Sequence, residues 1–391
     1  MWGTNTVAGF MKTNVARRTA CALITFLLAA CATNPYYNPA KPHHTPEGFR
    51  NRYPHAEKAS FWKWKLEQWR HGQPQMPAGG WTFPILRPDV AFIKSNRSVD
   101  TLTWIGHASF LLQLDGLNIL IDPHLTNRAS PVSFAGPKRI TAPALDFADL
   151  PHIDIVVVSH NHYDHMDEQT LMRLATQPGG PPRYFVGLGL RQWFEERGIE
   201  TAVELDWWDN RAVNGVTLHF VPTQHWSKRT LWDTNRTLWG GWMIESPRFR
   251  FFHAGDAGYS HDFADIGQRF ASIDLAALPV GGYAPRWFME INHLDPDEAV
   301  AAHKDLGARF SVGMHWGTFA DLTDELLDEP PKRLAEALAR DQISSQHFFL
   351  MQHGETRLLN RDSSDSLTVW PAGRVGTTPL SGPSEFLSRG M

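Results

Sequence analysis

Cysteine is nearly absent: the 391 residues contain two, Cys21 and Cys31. A chain beginning at Cys31 therefore has no disulfide to staple it. A basic surplus is also missing, because 37 Lys and Arg stand against 41 Asp and Glu for a net charge of −4. That balance excludes nucleic acid as an expected partner. Long apolar runs are lacking too: the longest, Ala20 to Ala30, falls well short of the roughly 20 residues of a spanning helix. Internal repeats are not visible. With 42% hydrophobic and only 20% charged residues, the chain is neither disordered nor collagen-like and can bury a sizeable core. What it does have is 19 His and 16 Trp. Histidine in that excess points to metal, and tryptophan to aromatic packing or a membrane-facing surface.

The apolar run at residues 20–30 follows Lys12, Arg17 and Arg18 and precedes proline-rich sequence, the layout of a signal peptide over residues 1–30. Leu28-Ala29-Ala30-Cys31 resembles the lipobox of bacterial lipoproteins, which implies a membrane anchor on Cys31. Ala32 carries no inner-membrane retention signal, so the outer membrane facing the periplasm is expected. Residues 31–95 read as a proline-rich tether and an aromatic extension. Within it Trp62, Leu66 and Trp69 fall on one face of a helix, and the weightier reading is that this stripe docks on its own domain, with a lipid interface as the alternative. Residues 361–391, rich in Ser, Gly, Thr and Pro, read as a flexible tail.

Between them, residues 96–360 alternate short apolar runs with turns and helical stretches. Strands are expected at 101–105, 110–114, 119–122, 153–159, 184–187, 216–222, 242–246, 249–254, 275–280 and 348–352. Helices are expected at 168–175, 190–197, 296–304 and 331–340. Two mixed sheets packed together and covered by helices account for this order.

The strongest chemical signal is Ser159-His160-Asn161-His162-Tyr163-Asp164-His165-Met166-Asp167, directly after the Ile-Asp-Ile-Val-Val-Val strand. Four potential ligands fall within six residues on a loop. Neutral imidazole and carboxylate suit zinc, and a loop lets successive residues face different metal positions.

In this string the chain resembles the metallo-β-lactamase fold superfamily, an α/β class with an αββα sandwich of two mixed sheets flanked by helices. The resemblance implies further ligands downstream, each at a strand end, and they occur as His225, Asp256 and His315. It implies two Zn²⁺ per chain: His160, His162 and His225 hold one, Asp164, His165 and His315 the other, and Asp256 bridges them. Asp122, after Asn118-Ile-Leu-Ile, matches the superfamily's first acid and would orient a ligand histidine.

A narrower resemblance, from about Thr101 to Glu355, is to the N-acylphosphatidylethanolamine-hydrolysing phospholipase D family. It is carried by Thr103-Trp104-Ile105-Gly106-His107-Ala108, Leu205-Asp206-Trp207-Trp208, Gln224-His225-Trp226-Ser227-Lys228-Arg229, Pro285-Arg286-Trp287-Phe288-Met289 and His315-Trp316-Gly317-Thr318-Phe319. It implies a phospholipid substrate and hydrolysis, by a hydroxide shared between the zincs, to phosphatidic acid and the head-group alcohol. His293 is the expected proton donor to the leaving group, with Tyr163 and Arg286 as weaker candidates. Two alternatives compete: a lactonase or esterase of a small soluble substrate, and a non-catalytic zinc-binding envelope lipoprotein. The sequence leaves the oligomeric state open, a homodimer included.

Overall fold

A computed structural model of the chain describes residues 34–55, 59–72, 77–360 and 366–371. The expected signal peptide and Cys31 lie outside the described residues. No helix among those residues is long and apolar enough to cross a membrane.

The chain opens with a strap whose short strands β1 (His44–Thr45) and β2 (Gly48–Phe49) pair antiparallel. Helices α1 (Phe61–His71) and α2 (Val90–Ser95) follow. Ser60 and Asp89 cap them, each accepting a backbone N–H of the first turn. Next come β3 (Thr101–Gly106), β4 (Ser109–Leu114), β5 (Leu117–Ile121), β6 (Lys138–Arg139), β7 (Ile155–Val157), α3 (Glu168–Ala175), β8 (Arg183–Gly187), α4 (Arg191–Glu195) and β9 (Ala202–Leu205). The second half comprises β10 (Asn210–Val213), β11 (Val216–Val221), β12 (Gly241–Glu245), β13 (Arg250–His253), α5 (Asp262–Phe270), β14 (Leu275–Pro279), α6 (Arg286–Met289), α7 (Pro296–Leu306), β15 (Phe310–Met314), β16 (Phe319–Ala320), α8 (Glu329–Arg340), β17 (Phe348–Leu350) and β18 (Thr356–Leu358).

The strands form two seven-stranded mixed sheets, ordered β18-β3-β4-β5-β7-β8-β9 and β10-β11-β12-β13-β14-β15-β17. Each runs through three antiparallel pairings and then three parallel ones. This is the αββα sandwich expected from the sequence. Strand alternation builds it: Phe110, Leu112, Ile119, Ile121, Ile155 and Val157 face the core between the sheets with Phe251 and Leu275. Leu111, Leu120, Val156 and Val158 face the other way, onto Leu171, Leu174 and Phe194 of α3 and α4. Strands buried on both faces explain why these segments read as continuous apolar runs.

Three parts of the sequence reading change. The strap is folded onto the domain instead of hanging as a tether. His43 Nε2 and His44 Nε2 lie 2.7 and 2.9 Å from the Asp206 carboxylate, where Lys41 also pairs, and the Tyr36 hydroxyl donates to Glu204 at 2.8 Å. Prolines that stiffen an extended segment also lower the entropy lost when it docks, and here buried acids reward that docking. Within the expected tail, Leu367 is buried and Trp370 stacks on Phe92 at 4.1 Å, so residues 366–371 return to the domain. Finally, the Trp62–Leu66–Trp69 stripe of α1 does not dock on the domain. Trp64 does: it is buried, stacks on Phe288 at 4.9 Å and donates from Nε1 to Asp324.

Candidate metal centre

Asp122 and the seven expected ligands sit just past the ends of strands of the two sheets. Asp122 follows β5, the 159–167 loop follows β7, His225 lies four residues beyond β11, Asp256 three beyond β13, and His315 directly after β15. His107, Asp122 and His315 take left-handed backbone angles, φ 55°, 41° and 67°. For residues with a Cβ that conformation costs about 1–3 kcal/mol each, and such strain gathers at functional sites.

Two ligand sets form. His160, His162 and His225 bring one donor atom each to Asp256 within 4.8 Å of one another, and Asp164, His165 and His315 gather likewise with His107. The Asp256 carboxylate lies between them. Its Oδ1 is 3.1 Å from His165 Nε2 and 3.2 Å from His315 Nε2, and its Oδ2 is 3.8 Å from both His160 Nε2 and His225 Nε2. His160, His162, His225, Asp164, His165 and His315 thus gather in two groups that could hold metal, with Asp256 facing both.

Hydrogen bonds on the far side of the rings fix which nitrogen looks inward. His225 Nδ1 lies 2.9 Å from the Asn292 carbonyl, which leaves its Nε2 lone pair aimed at the cluster. His165 Nδ1 lies 2.8 Å from Asp122 Oδ2. The Ser159 hydroxyl donates to the same Oδ2 at 2.6 Å and lies 2.9 Å from His160 Nδ1. Asp122 therefore contacts one histidine of each set, His165 directly and His160 through Ser159.

The donor set tests well for a metal. His165 Nε2, His315 Nε2 and Asp256 Oδ1 are buried and crowd one another at 3.1 and 3.2 Å without the alignment of a hydrogen bond. Left so, each such polar atom costs about 1–3 kcal/mol. Burial holds the His160, His162 and His225 imidazoles below their ordinary pKa, His162 at about 4, and so keeps them neutral and able to ligate. At His165 and His315 burial acts in the same direction, but the Asp256 and Asp164 carboxylates outweigh it and raise both, His315 to about 9. A cationic centre would take over that compensating role. Nitrogen and oxygen donors in two sets about a shared carboxylate fit a pair of divalent ions.

Of the candidate proton donors, His293 lies at the open side of the cluster, its Nδ1 3.9 Å from Asp256 Oδ2 and without a partner. Tyr163 donates its hydroxyl to the Arg229 carbonyl at 2.9 Å. Arg286 donates to the His293 carbonyl and to Glu298, each at 2.8 Å. Both are committed to structure.

His107 belongs to the site although the sequence reading left it among the matching strings. Its Nε2 is 3.0 Å from Asp164 Oδ2, and its backbone N–H donates to the Thr318 hydroxyl at 2.9 Å. The signal available was its place after a strand in Ile105-Gly106-His107, where Gly106 at φ 136° allows the turn. Asn51 is a second such residue, carried by the strap: its side chain bonds the His225 backbone. No local motif marks it, since it lies 174 residues away.

Residues 117–316 match the model of the beta-lactamase superfamily domain. The chain is 41% identical over 264 residues to N-acyl-phosphatidylethanolamine-hydrolyzing phospholipase D 1 of Caenorhabditis elegans, covering 65% of this chain and 74% of that one. It is 37% identical over 239 residues to the mitochondrial N-acyl-phosphatidylethanolamine-hydrolyzing phospholipase D of Saccharomyces cerevisiae, covering 59% of this chain and 50% of the yeast protein. Among solved structures, isothiocyanate hydrolase from Delia radicum gut bacteria shares the fold with a TM-score of 0.54 at 21% identity, over 66% of this chain and 99% of that one. The buried His and Asp sets and these likenesses place the chain in the metallo-β-lactamase superfamily, as a metal-dependent hydrolase.

Proposed function

We propose that the chain is a phosphodiesterase of phospholipase D type, which hydrolyses N-acylphosphatidylethanolamine or a related phospholipid to phosphatidic acid and the head-group alcohol. The observation that carries this reading is the 41% identity to a relative of that name over 264 residues, 65% of this chain. His160, His162, His225, Asp164, His165, His315 and Asp256 would hold zinc, which would supply Lewis acidity toward phosphoryl oxygens and a water acidic enough to deprotonate near neutral pH.

The chain's own groups do the rest. Asp256 keeps the two ligand sets in register through one carboxylate. Asp122 fixes the imidazole tautomers that face inward. Water adds to phosphorus, the bond from phosphorus to the head-group oxygen breaks, and that oxygen takes a proton. Burial holds the His293 pKa down at about 4 and so keeps it neutral, and from its place beside Asp256 it would take up the proton that the attacking water gives up and pass it to the leaving oxygen. The lipid anchor on Cys31 and a place at the outer membrane facing the periplasm are part of this proposal; a tethered enzyme meets membrane lipid at high effective concentration.

The test is mass-spectrometric product analysis of the zinc-loaded protein with N-acylphosphatidylethanolamine in mixed micelles, beside phosphatidylethanolamine and a panel of lactones. N-Acylethanolamine and phosphatidic acid are expected from the wild type and not from Asp256→Asn. Lactone opening without lipid cleavage would replace the phosphodiesterase reading with that of a soluble-ester hydrolase, and no product from any substrate would overturn both.

A further inference from the structure

Helix α1 shows the domain one face and leaves the opposite one bare. Trp64 and Gln68 hold it down, both bonded to the Asp324 carboxylate, with the Trp64 ring on Phe288. At 3.6 residues per turn, Trp62, Leu66 and Trp69 fall within roughly 60° of one another on the other side. Trp62 is 78% and Trp69 81% exposed, with Leu66 and Phe61 also open to solvent. Lys63 and Arg70 border this stripe on one side, while Lys65 turns to the domain-facing side, its ammonium donating to Gln68 at 2.8 Å and lying over the Trp64 ring. The helix's single acid, Glu67, sits outside the stripe beside Lys63. Two nearly bare indoles beside a cationic flank make a poor surface for water, and are the arrangement that interfacial helices use against anionic lipid.

A second exposed apolar pair stands near the same opening. Leu231 is 76% and Trp232 84% exposed. They tip the segment that follows the ligand His225. That segment is braced on the metal-binding loop by Arg229, whose guanidinium donates to the carbonyls of Asn161 and Met166. Helix α1, for its part, rests on Phe288, whose helix α6 leads into His293, and on Asp324, whose backbone N–H donates to Ala284. One exposed group is thus carried by the segment braced on the metal loop, the other by a helix resting on the elements that lead into His293. His162 and His293 are the least buried members of the cluster.

We propose that Trp62, Leu66 and Trp69 of α1, together with Leu231 and Trp232, form a bilayer-docking surface that seats the open side of the metal centre against anionic phospholipid. This assignment deepens the phosphodiesterase reading and rests on it for the identity of the surface engaged. Charge complementarity favours lipid over a second copy of the chain, since the cations bordering the stripe on α1 would face each other across a symmetric interface. Tryptophan is also suited to the depth of lipid head groups, with an apolar ring and one polar edge.

The test uses the full-length, zinc-loaded protein with vesicles of phosphatidylglycerol and phosphatidylethanolamine whose acyl chains are brominated, so that only tryptophans entering the bilayer are quenched. Quenching of the wild type, lost by more than half in Trp62→Phe/Trp69→Phe at equal vesicle binding, is the expected result. Phenylalanine keeps these positions apolar, and the untouched Trp64 keeps the helix seated. Wild-type fluorescence that brominated lipid leaves unchanged, or equal quenching of the variant, overturns the surface even if the protein cleaves phospholipid. The expected quenching without phospholipid cleavage would keep the surface and defeat the phosphodiesterase reading instead. A dimer in solution that Trp62→Ala/Trp69→Ala converts to monomer would assign the stripe to a second copy and overturn the proposal.

Discussion

Asn51 holds both backbone groups of His225: its Nδ2 donates to the His225 carbonyl at 3.0 Å, and its Oδ1 accepts the His225 N–H at 3.1 Å. The same Oδ1 accepts from Trp239 Nε1 at 3.1 Å. A residue of the N-terminal strap thereby fixes the backbone of a residue of the candidate metal centre 174 positions away.

Replacing Asn51 with Ala leaves a buried amide and carbonyl short of partners, an expected loss of about 1–3 kcal/mol in stability. Supporting hydrogen bonds around a metal are worth roughly 10- to 100-fold in affinity. Competition against a graded series of chelators is expected to show that loss for one of the two metal equivalents. If the melting temperature falls while both affinities hold, Asn51 anchors the strap and does nothing for the centre.

Asp122 and Ser159 separate the two sets. Asp122 reaches His165 directly and His160 only through the Ser159 hydroxyl. Ser159→Ala is expected to weaken one metal equivalent and Asp122→Ala both, read as metal per chain by elemental analysis after dialysis against chelator. Identical losses in the two variants would break the relay.

The sequence carried the metal centre because its ligands cluster at strand ends, and a strand buried on both faces announces itself as an apolar run. The His160 to His165 string after β7 was legible in that way, and Asp122, His225, Asp256 and His315 through the superfamily resemblance that string carries. His107 was not, since a lone histidine in a turn has no partner in the sequence; Asp164, which it meets at 3.0 Å, lies 57 residues on. The strap failed for the opposite reason. Its prolines and polar residues describe an extended chain correctly, but the reward for docking, Asp206 and Glu204, sits in another strand's neighbourhood. Helix α1 was legible as a helix and misread as to its face. Periodicity finds an apolar stripe without saying whether protein covers it, and one buried Trp64 with two hydrogen bonds to Asp324 from α1 decided the orientation.

His353 supplies a pH dependence. Burial, then the Arg139 guanidinium nearby, pushes its pKa down to about 3 from an ordinary value near 6.5. Between those values the unfolded chain takes up a proton that the folded chain refuses. This residue's contribution therefore stands in full above pH 6.5 and falls by about 1.4 kcal/mol per unit as pH drops toward 3. His353→Gln loses the hydrogen-bonding contact with Thr318 but also this penalty. Its cost relative to wild type, from denaturant unfolding of metal-free protein, is expected to shrink by about 2 kcal/mol between pH 7 and pH 5. A pH-independent cost would mean that His353 takes up its proton in the folded state.

His293 can be tested by the leaving group it serves. Imidazole donating to a departing alkoxide contributes about 10²–10⁴-fold. His293→Ala is expected to lose turnover on that scale with phospholipid while keeping two metals per chain; because His293 also gathers with Asp256 and His315, its Nδ1 3.9 Å from Asp256 Oδ2, loss of a metal equivalent in this variant would make it a ligand instead. A p-nitrophenyl phosphodiester departs as a stable phenolate and needs no proton, so the variant should recover most of the wild-type rate with it. A loss of equal size with both substrates would instead make His293 a positioning residue, acting through Asp256 or through the loop that Arg286 ties to its carbonyl.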